Sequence, residues 1–363
     1  MNNLYEASNQ WANRPEDERF TNLLDLKAAV DDRHRISRSK EVSLGQLRAV
    51  AGETDADLRI CADGPGMGDM IPSNWAFSQL SLTSGAPSSY LRKLPASLAA
   101  DCLNFSIEQQ SKEKRNDLKV LMRDHGEFTQ LSAVTGEKYG RIWDSEVVDL
   151  AIRIKDHSAD QGKEFYNPKD WSGTPTGLYA GDRDCFIFMI DGGSMLDIGP
   201  RAQLNRGFFM WNSEVGSKVF GIKTFYFNVV CGNHIVWDVS NVRELRIRHT
   251  KNGHSRFEEM AWSKMQELSA ESLSPMDSAI RAAIEYRLDD ADDEVGIIKW
   301  LGRKGFTQAE ARNGVAYANK EEGQCASLWD ITQGLTAYAR DLTHLSARTE
   351  LEVKAGKLLD LVS

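Results

Sequence analysis

The segment from residue 185 to 250 constrains this chain most, because its apolar side chains come in unbroken runs. Residues 185–190 (Cys-Phe-Ile-Phe-Met-Ile) are apolar at successive positions. A strand points alternate side chains to opposite faces, so such a run predicts a central strand covered on both sides. Residues 207–211, 218–230 and 235–237 continue in the same style, rich in aromatic and β-branched residues that favour strand over helix. Between the first two of these lies Asn212-Ser213-Glu214-Val215-Gly216, with the polar and glycine content of a hairpin turn. Residues 244–250 instead alternate, placing Leu245, Ile247 and His249 on one face and Arg246, Arg248 and Thr250 on the other.

On either side of this strand region the spacing is helical. Leu91, Leu94, Leu98, Cys102 and Phe105 predict a core-facing helix within residues 89–114, followed by a strand over 118–123 and a helix over 144–154. Beyond residue 257 the chain reads as helix, with one amphipathic stretch at 276–287, an acidic linker at 289–294 and another helix marked by Leu328, Ile331, Leu335, Ala339 and Leu342. The expected class is α+β: a central, mostly antiparallel sheet with a helical N-terminal segment and a helical C-terminal region. Residues 1–65, polar apart from a short helix around 22–30, are expected to be a partly flexible arm with a basic stretch at Arg33 to Lys40. Residues 66–260 would be the α+β core, and 261–363 helices packed on it.

Several motifs in order resemble a known family. Asn212-Ser213-Glu214-Val215-Gly216, then Cys231-Gly232-Asn233, then Arg246-Ile247-Arg248-His249-Thr250 are similar to the core of the phage- and plasmid-encoded domain of unknown function 932. Trp75-Ala76-Phe77-Ser78-Gln79-Leu80, Gly177-Leu178-Tyr179-Ala180 with Asp182-Arg183-Asp184, and Leu328-Trp329-Asp330-Ile331 extend the resemblance over about residues 70–363. The resemblance implies a phage or plasmid context, hence a bacterial cytoplasmic setting, and an uncharacterised role.

An apolar fraction of 41% supports a packed core, and a net charge of −9 argues against a uniformly basic nucleic-acid coat. The charge is uneven: residues 201–256 carry nine Lys/Arg against three acidic residues, whereas 257–363 carry twelve against nineteen. Arg246, Arg248, Lys223, Lys218 and Lys251 are therefore candidates for phosphate contact, with Trp211 and Tyr226 as base-stacking platforms, a combination suited to single strands. The plain alternative fills the core with those aromatics and pairs the arginines with acids.

Cys231, His234, His249 and His254 imitate the paired spacing of a zinc site, but a strand cysteine following two valines reads better as a buried thiol. Asp182, Asp184 and Asp191 supply enough carboxylates for a divalent ion, yet they flank an apolar strand, where polar turn residues belong. No nucleophile has the strained glycine turn of a serine hydrolase, so no catalytic residue and no cofactor is assigned. With no apolar run near 18 residues, no membrane partner is expected. The expected role is a non-enzymatic, single-stranded nucleic-acid-binding or annealing accessory protein of phage DNA metabolism. The alternatives are a host-interaction or counter-defence protein binding a bacterial protein, and a metal-dependent nucleic-acid enzyme; homo-oligomerisation is left open.

Overall fold

A computed structural model describes residues 18–54, 56–62, 68–113, 117–160, 162, 164–169, 175, 177–197, 203–228, 233–235, 244–270, 274–288, 293–323, 325–342 and 345–362. In chain order the elements are β1 (Arg19–Phe20), α1 (Leu23–Arg35), β2 (Ser37–Ser43), β3 (Leu47–Ala51), β4 (Leu58–Ala62), β5 (Met70–Pro72), α2 (Asn74–Ser84), α3 (Ser88–Leu91), α4 (Ala96–Glu113), β6 (Asp117–Asp124) and β7 (Thr129–Gly136). Then follow α5 (Asp144–Asp160), β8 (Phe165–Tyr166), β9 (Leu178–Ala180), β10 (Cys185–Asp197), β11 (Gln203–Asn212), β12 (Phe220–Asn228), β13 (Asn233–Ile235) and β14 (Leu245–Ile247). The chain closes on α6 (Lys251–Ala270), α7 (Ser274–Glu285), α8 (Glu294–Arg303), α9 (Gln308–Glu321), α10 (Leu328–Arg340) and α11 (Leu345–Gly356). The fold is α+β, and no helix among the described residues is long and apolar enough to cross a membrane.

Two sheets organise it. The larger runs β1-β9-β10-β11-β12-β13, with β14 also on β12 and β8 also on β10, and all its pairings are antiparallel. The smaller runs β2-β6-β7-β5-β4-β3 and is antiparallel except where β5 meets β7. The run at 185–190 is a central strand buried on both faces. Cys185, Ile187 and Met189 enter a core with α1, α5 and α6, while Phe186, Phe188 and Ile190 pack with Phe209, Trp211 and Phe225 on the far side. A third core lies among the C-terminal helices around Trp329, Leu335 and Leu301.

The N-terminal arm is corrected. Residues 19–62 contribute a helix and four strands to the two sheets. Leu58, Ile60 and Ala62 are buried in alternation, and β2, with only Val42 buried, is an edge strand held by its backbone pairing to β6. Polar composition does not exclude such an edge, because ladder hydrogen bonds use no side chain.

The helix expected over 89–114 also differs. Pro95 ends the preceding turn, so Leu91 belongs to α3, and α4 turns Ala96, Ala99, Ala100, Leu103 and Ile107 inward. Leu98 and Phe105, expected in the core, are 46% and 64% exposed. Cys231, Trp237 and most of the acidic linker lie outside the described residues.

Candidate functional site

At the end of β11 the backbone turns back through Gly216, whose φ of 80° is the left-handed value that the sequence predicts for a glycine. Turn residues ordinarily sit in water, but Asn212, Ser213, Glu214 and Val215 are all buried, because the smaller sheet packs over them. Val215 seats against Leu121 and Ala133, and its carbonyl accepts from Trp75 Nε1 at 2.9 Å and Gln79 Nε2 at 2.8 Å. Tyr139 Oη donates to the Ser213 carbonyl at 3.1 Å, and Ser213 Oγ donates to the Arg183 carbonyl at 2.6 Å. Asn212 Nδ2 donates to the Ile142 carbonyl at 2.9 Å and to Asp144 Oδ1 at 2.7 Å.

These contacts surround a cluster of buried charge. Glu214 Oε2 accepts from Arg123 Nη2 at 2.7 Å, and its Oε1 accepts the Asp144 backbone N–H at 3.0 Å. Asp144 Oδ2 accepts from Arg33 Nη2 at 2.8 Å, while Arg33 Nη1 donates to the Gly181 carbonyl at 2.7 Å. Arg123 lies 3.6 Å from half-exposed Asp182. Arg141 donates to the Glu214 carbonyl and lies over the rings of Tyr139 and Trp143, at 5.3 and 5.5 Å. Three guanidinium groups from α1, β6 and the loop before α5 thus meet three carboxylates, a near-neutral set that reduces the cost of burying each charge.

Burial and the adjacent Glu214 push the Asp144 carboxyl up to about 7. Glu214 is buried too, but Arg33 and Arg123 outweigh that and hold it below the usual range. One carboxyl is therefore balanced between its charged and neutral forms near neutral pH. The Asp144 and Glu214 side chains are only 3% and 1% exposed, so the pair acts on the protein itself rather than on a ligand. It is a clasp between the two sheets.

The clasp also anchors the basic segment. Exposure along 244–250 alternates as the sequence predicts: Arg246, Arg248 and Thr250 face water, whereas Ile247 and His249 are buried. His249 stacks on Tyr139 at 5.0 Å with the planes 4° apart, and its Nδ1 accepts the Ile142 N–H at 3.3 Å. Burial, then the neighbouring Arg141, push this imidazole down to about 4. Gly140 donates to the His249 carbonyl at 3.1 Å, and a side chain on Gly140 would run into the Thr250 backbone. Thr250 Oγ1 then accepts from Gly253 N at 3.0 Å and starts α6, whose first turn holds Lys251 and no acid.

The candidate phosphate contacts are thereby separated. Arg248 and Lys251 are exposed, and among the described residues neither has a carboxylate partner. Arg246 is exposed but bonds Glu244 at 2.7 Å. Lys218 lies over the Phe186 ring at 5.8 Å, and Lys223 is half-buried opposite Phe209. Trp211 and Tyr226 are corrected: at 9% and 7% exposure they fill cores and offer no face to a base. Both belong to strands covered on both sides, Trp211 packing with Phe209 and Tyr226 joining the core around Trp329.

The residues whose spacing imitates a zinc site do not gather where they are described. His249 faces Tyr139 and Ile142, and His254 Nε2 lies 3.1 Å from Glu146 Oε1. Asn233 and His234 are in β13, and Cys231 is outside the described residues. Asp182 and Asp191 turn to different arginines, Asp191 lying 3.5 Å from Arg206. Asp184 is buried before β10. Arg123, Arg141 and Asp144 were missed by sequence reasoning, and Arg33 was read only as part of a basic arm; the signal was an arginine closing the apolar run at 118–123 and another opening Arg141-Ile142-Trp143-Asp144.

Comparison with known proteins gives one match. The family model described as Domain of unknown function (DUF932) covers residues 158–349. It takes in Asn212–Gly216 and His249 but not Arg33, Arg123, Arg141 or Asp144. No curated protein matches, and no solved structure matches.

Proposed function

The chain belongs to the DUF932 family, and from that premise we propose that it is a non-enzymatic binder of single-stranded nucleic acid, serving phage-type DNA metabolism in the bacterial cytoplasm. The phosphate-contacting surface is the junction of β14 and α6, with Arg248 and Lys251 as its principal cations and Arg246 beside them.

One observation carries this reading: two cations without acidic partners among the described residues stand at the positive end of a helix of 20 residues whose first turn has no acid. Helix N-termini favour anions and disfavour cations by about 0.3–1 kcal/mol at exposed sites. A lysine there is therefore unfavourable until an anion arrives, and a phosphate chain satisfies the lysine, Arg248 and the helix end together. His254 in the same turn is already turned to Glu146 and adds nothing to the face.

The experiment is titration of oligonucleotides at several salt concentrations against Arg248→Glu/Lys251→Glu. Each phosphate contact to a single strand adds about −0.7 to the slope of log K against log salt, so the variant should bind more weakly with a slope flatter by about 1.4. Both positions are exposed, so the variant should melt like the parent. Wild-type protein without affinity for single strands at low salt would sink the reading, and an unchanged slope in the folded variant would remove this surface from it.

A further inference from the structure

Helices α8 and α9 are joined by a closely specified turn. Gly305 takes a φ of 90°, and the Phe306 N–H donates back to the Leu301 carbonyl at 3.1 Å, the bond that ends a helix on a left-handed glycine. Thr307 then starts α9 with a capping box: its hydroxyl accepts the Glu310 N–H, and the Glu310 carboxylate accepts the Thr307 N–H. Ile297, Trp300 and Leu301 of α8, Phe306 of the turn, and Ala311 and Val315 of α9 meet in one core. Residues 304–307 therefore connect helices of 10 and 14 residues that pack on each other, the layout of a helix-turn-helix.

The charge on this pair points to a polyanion. Residues 257–363 are acidic overall, and of their twelve Lys/Arg, Lys264, Arg281, Arg340, Arg348 and Lys354 each pair with a carboxylate. Lys299, Arg303, Lys304, Arg312 and Lys320, all exposed on α8, the turn or α9, have no carboxylate partner among the described residues. The acids of the same two helices are already engaged: Glu310 with Lys354, Glu321 with Arg340, and Glu294 with Asn319 Nδ2 at 2.8 Å. Five uncompensated cations gathered in an acidic region repel one another, and a chain of phosphates relieves that repulsion.

Shape selects which polyanion. Gln308, Arg312, Ala316 and Lys320 recur every four residues along α9 as an exposed stripe, away from the core. The major groove of B-form DNA, about 12 Å wide, admits such a helix, whereas that of an A-form RNA helix is too narrow to be read. Glutamine and arginine, which open the stripe, are the side chains whose paired groups match the adenine and guanine edges. Lys299, Arg303 and Lys304 lie on the first helix and the turn, the part of such a motif that crosses the phosphate backbone.

We propose that α8 and α9 form a helix-turn-helix that binds B-form duplex DNA, with α9 in the major groove, Gln308 and Arg312 at base edges, and Lys299, Arg303 and Lys304 on phosphates. This surface shares no residue with the junction of β14 and α6, so it stands whether or not that junction binds single strands.

The test is fluorescence anisotropy of a short mixed-sequence DNA duplex with the full chain at several salt concentrations, comparing the parent with Arg303→Gln/Lys304→Gln. Each phosphate contact to a duplex adds about −0.9 to the slope of log K against log salt, so the variant should bind roughly tenfold more weakly with a slope flatter by about 1.8. Arg248→Glu/Lys251→Glu should bind the duplex as the parent does. The glutamine positions are exposed, so the variant should keep the parent's thermal melt, and Lys299→Gln/Lys320→Gln repeats the test at separate positions. Selection from a randomised duplex library should enrich one sequence, and Arg312→Ala should lose roughly tenfold of the preference for it. Wild-type protein without duplex affinity at low salt, duplex affinity unchanged in both glutamine variants, affinity lost only in Arg248→Glu/Lys251→Glu, or a library with no enriched sequence would each overturn the proposal.

Discussion

Glu214 shows how a polar motif residue becomes structural. Its carboxylate lies within reach of Arg123 and Arg33 and accepts the Asp144 N–H, while its backbone carbonyl receives Arg141. Removing the charge while keeping the shape, as in Glu214→Gln, leaves two buried guanidinium groups facing an amide. Breaking one side of a buried pair typically costs about 3–5 kcal/mol, so a loss near 3 kcal/mol is expected in urea denaturation. Asp144 and His249 make an opposed pair of proton sites. Asp144, raised to about 7 in the fold from about 4 in the unfolded chain, holds a proton that the unfolded chain has shed, so its contribution to stability falls as pH rises from 4 to 7. His249, lowered to about 4 from about 6.5, makes a contribution that is lost as pH falls from 6.5 to 4. The two slopes cancel over most of that range. Asp144→Asn removes one of them, so the variant should lose stability on acidification from pH 6.5 at up to about 1.4 kcal/mol per pH unit. A variant as flat as the parent would show that His249 is not the opposing group.

The elements differ in how far the sequence displays them. β10, β11 and β12 are legible because burial on both faces forces apolar residues at successive positions, and β14 because burial on one face forces alternation. The partners of Asn212 and Glu214 were not legible: Arg33, Arg123 and Asp144 lie 68 to about 180 residues away in the chain, and periodicity reports a residue's face but not what meets it. The phase of α4 misled for a related reason, since its apolar pattern runs on across Pro95 from a different helix. Among the helices, α9 and α10 touch through Gly314 and Gly334, and a methyl group on Gly334 would strike the Gly314 carbonyl oxygen and Ala318. Gly302 in α8 has open space around it. Glycine to alanine in a helix gains about 0.5–1 kcal/mol, whereas overpacking costs about 1–3 kcal/mol. Gly302→Ala should therefore raise the melting temperature and Gly334→Ala should lower it. At the turn, Gly216→Val must hold a branched residue at positive φ, at a cost of about 1–3 kcal/mol readable in the same melt.

For the molecule as a whole, the clasp joins two sheets whose main cores are separate. The smaller sheet has its own core with α2 to α4, and the larger has one on each face. The seam between them is small: Leu121, Ala133 and Val215 with the partly buried Trp75 and Trp143, beside the ion cluster. Loosening it with Glu214→Gln should uncouple the sheets before it unfolds either. Native-state hydrogen exchange of that variant should show protection falling in β6 and β7 while β10 to β12 keep theirs. A uniform loss would instead mean that the sheets open only together.

The long reach of Arg33 also orders events during synthesis. Helix α1 leaves the ribosome before its partners: Leu26 and Val30 share a core with residues as late as Met265, and Arg33 pairs with Asp144 and Glu214. At about 5–20 residues per second, Glu214 follows Arg33 by roughly 10–35 s, longer than a helix needs to form and far longer than it can stand uncovered without risk. The nascent chain must therefore carry the apolar face of α1 uncovered until α5 and β9 have followed it. Its yield should depend on nascent-chain chaperones and elongation rate more than its final stability suggests.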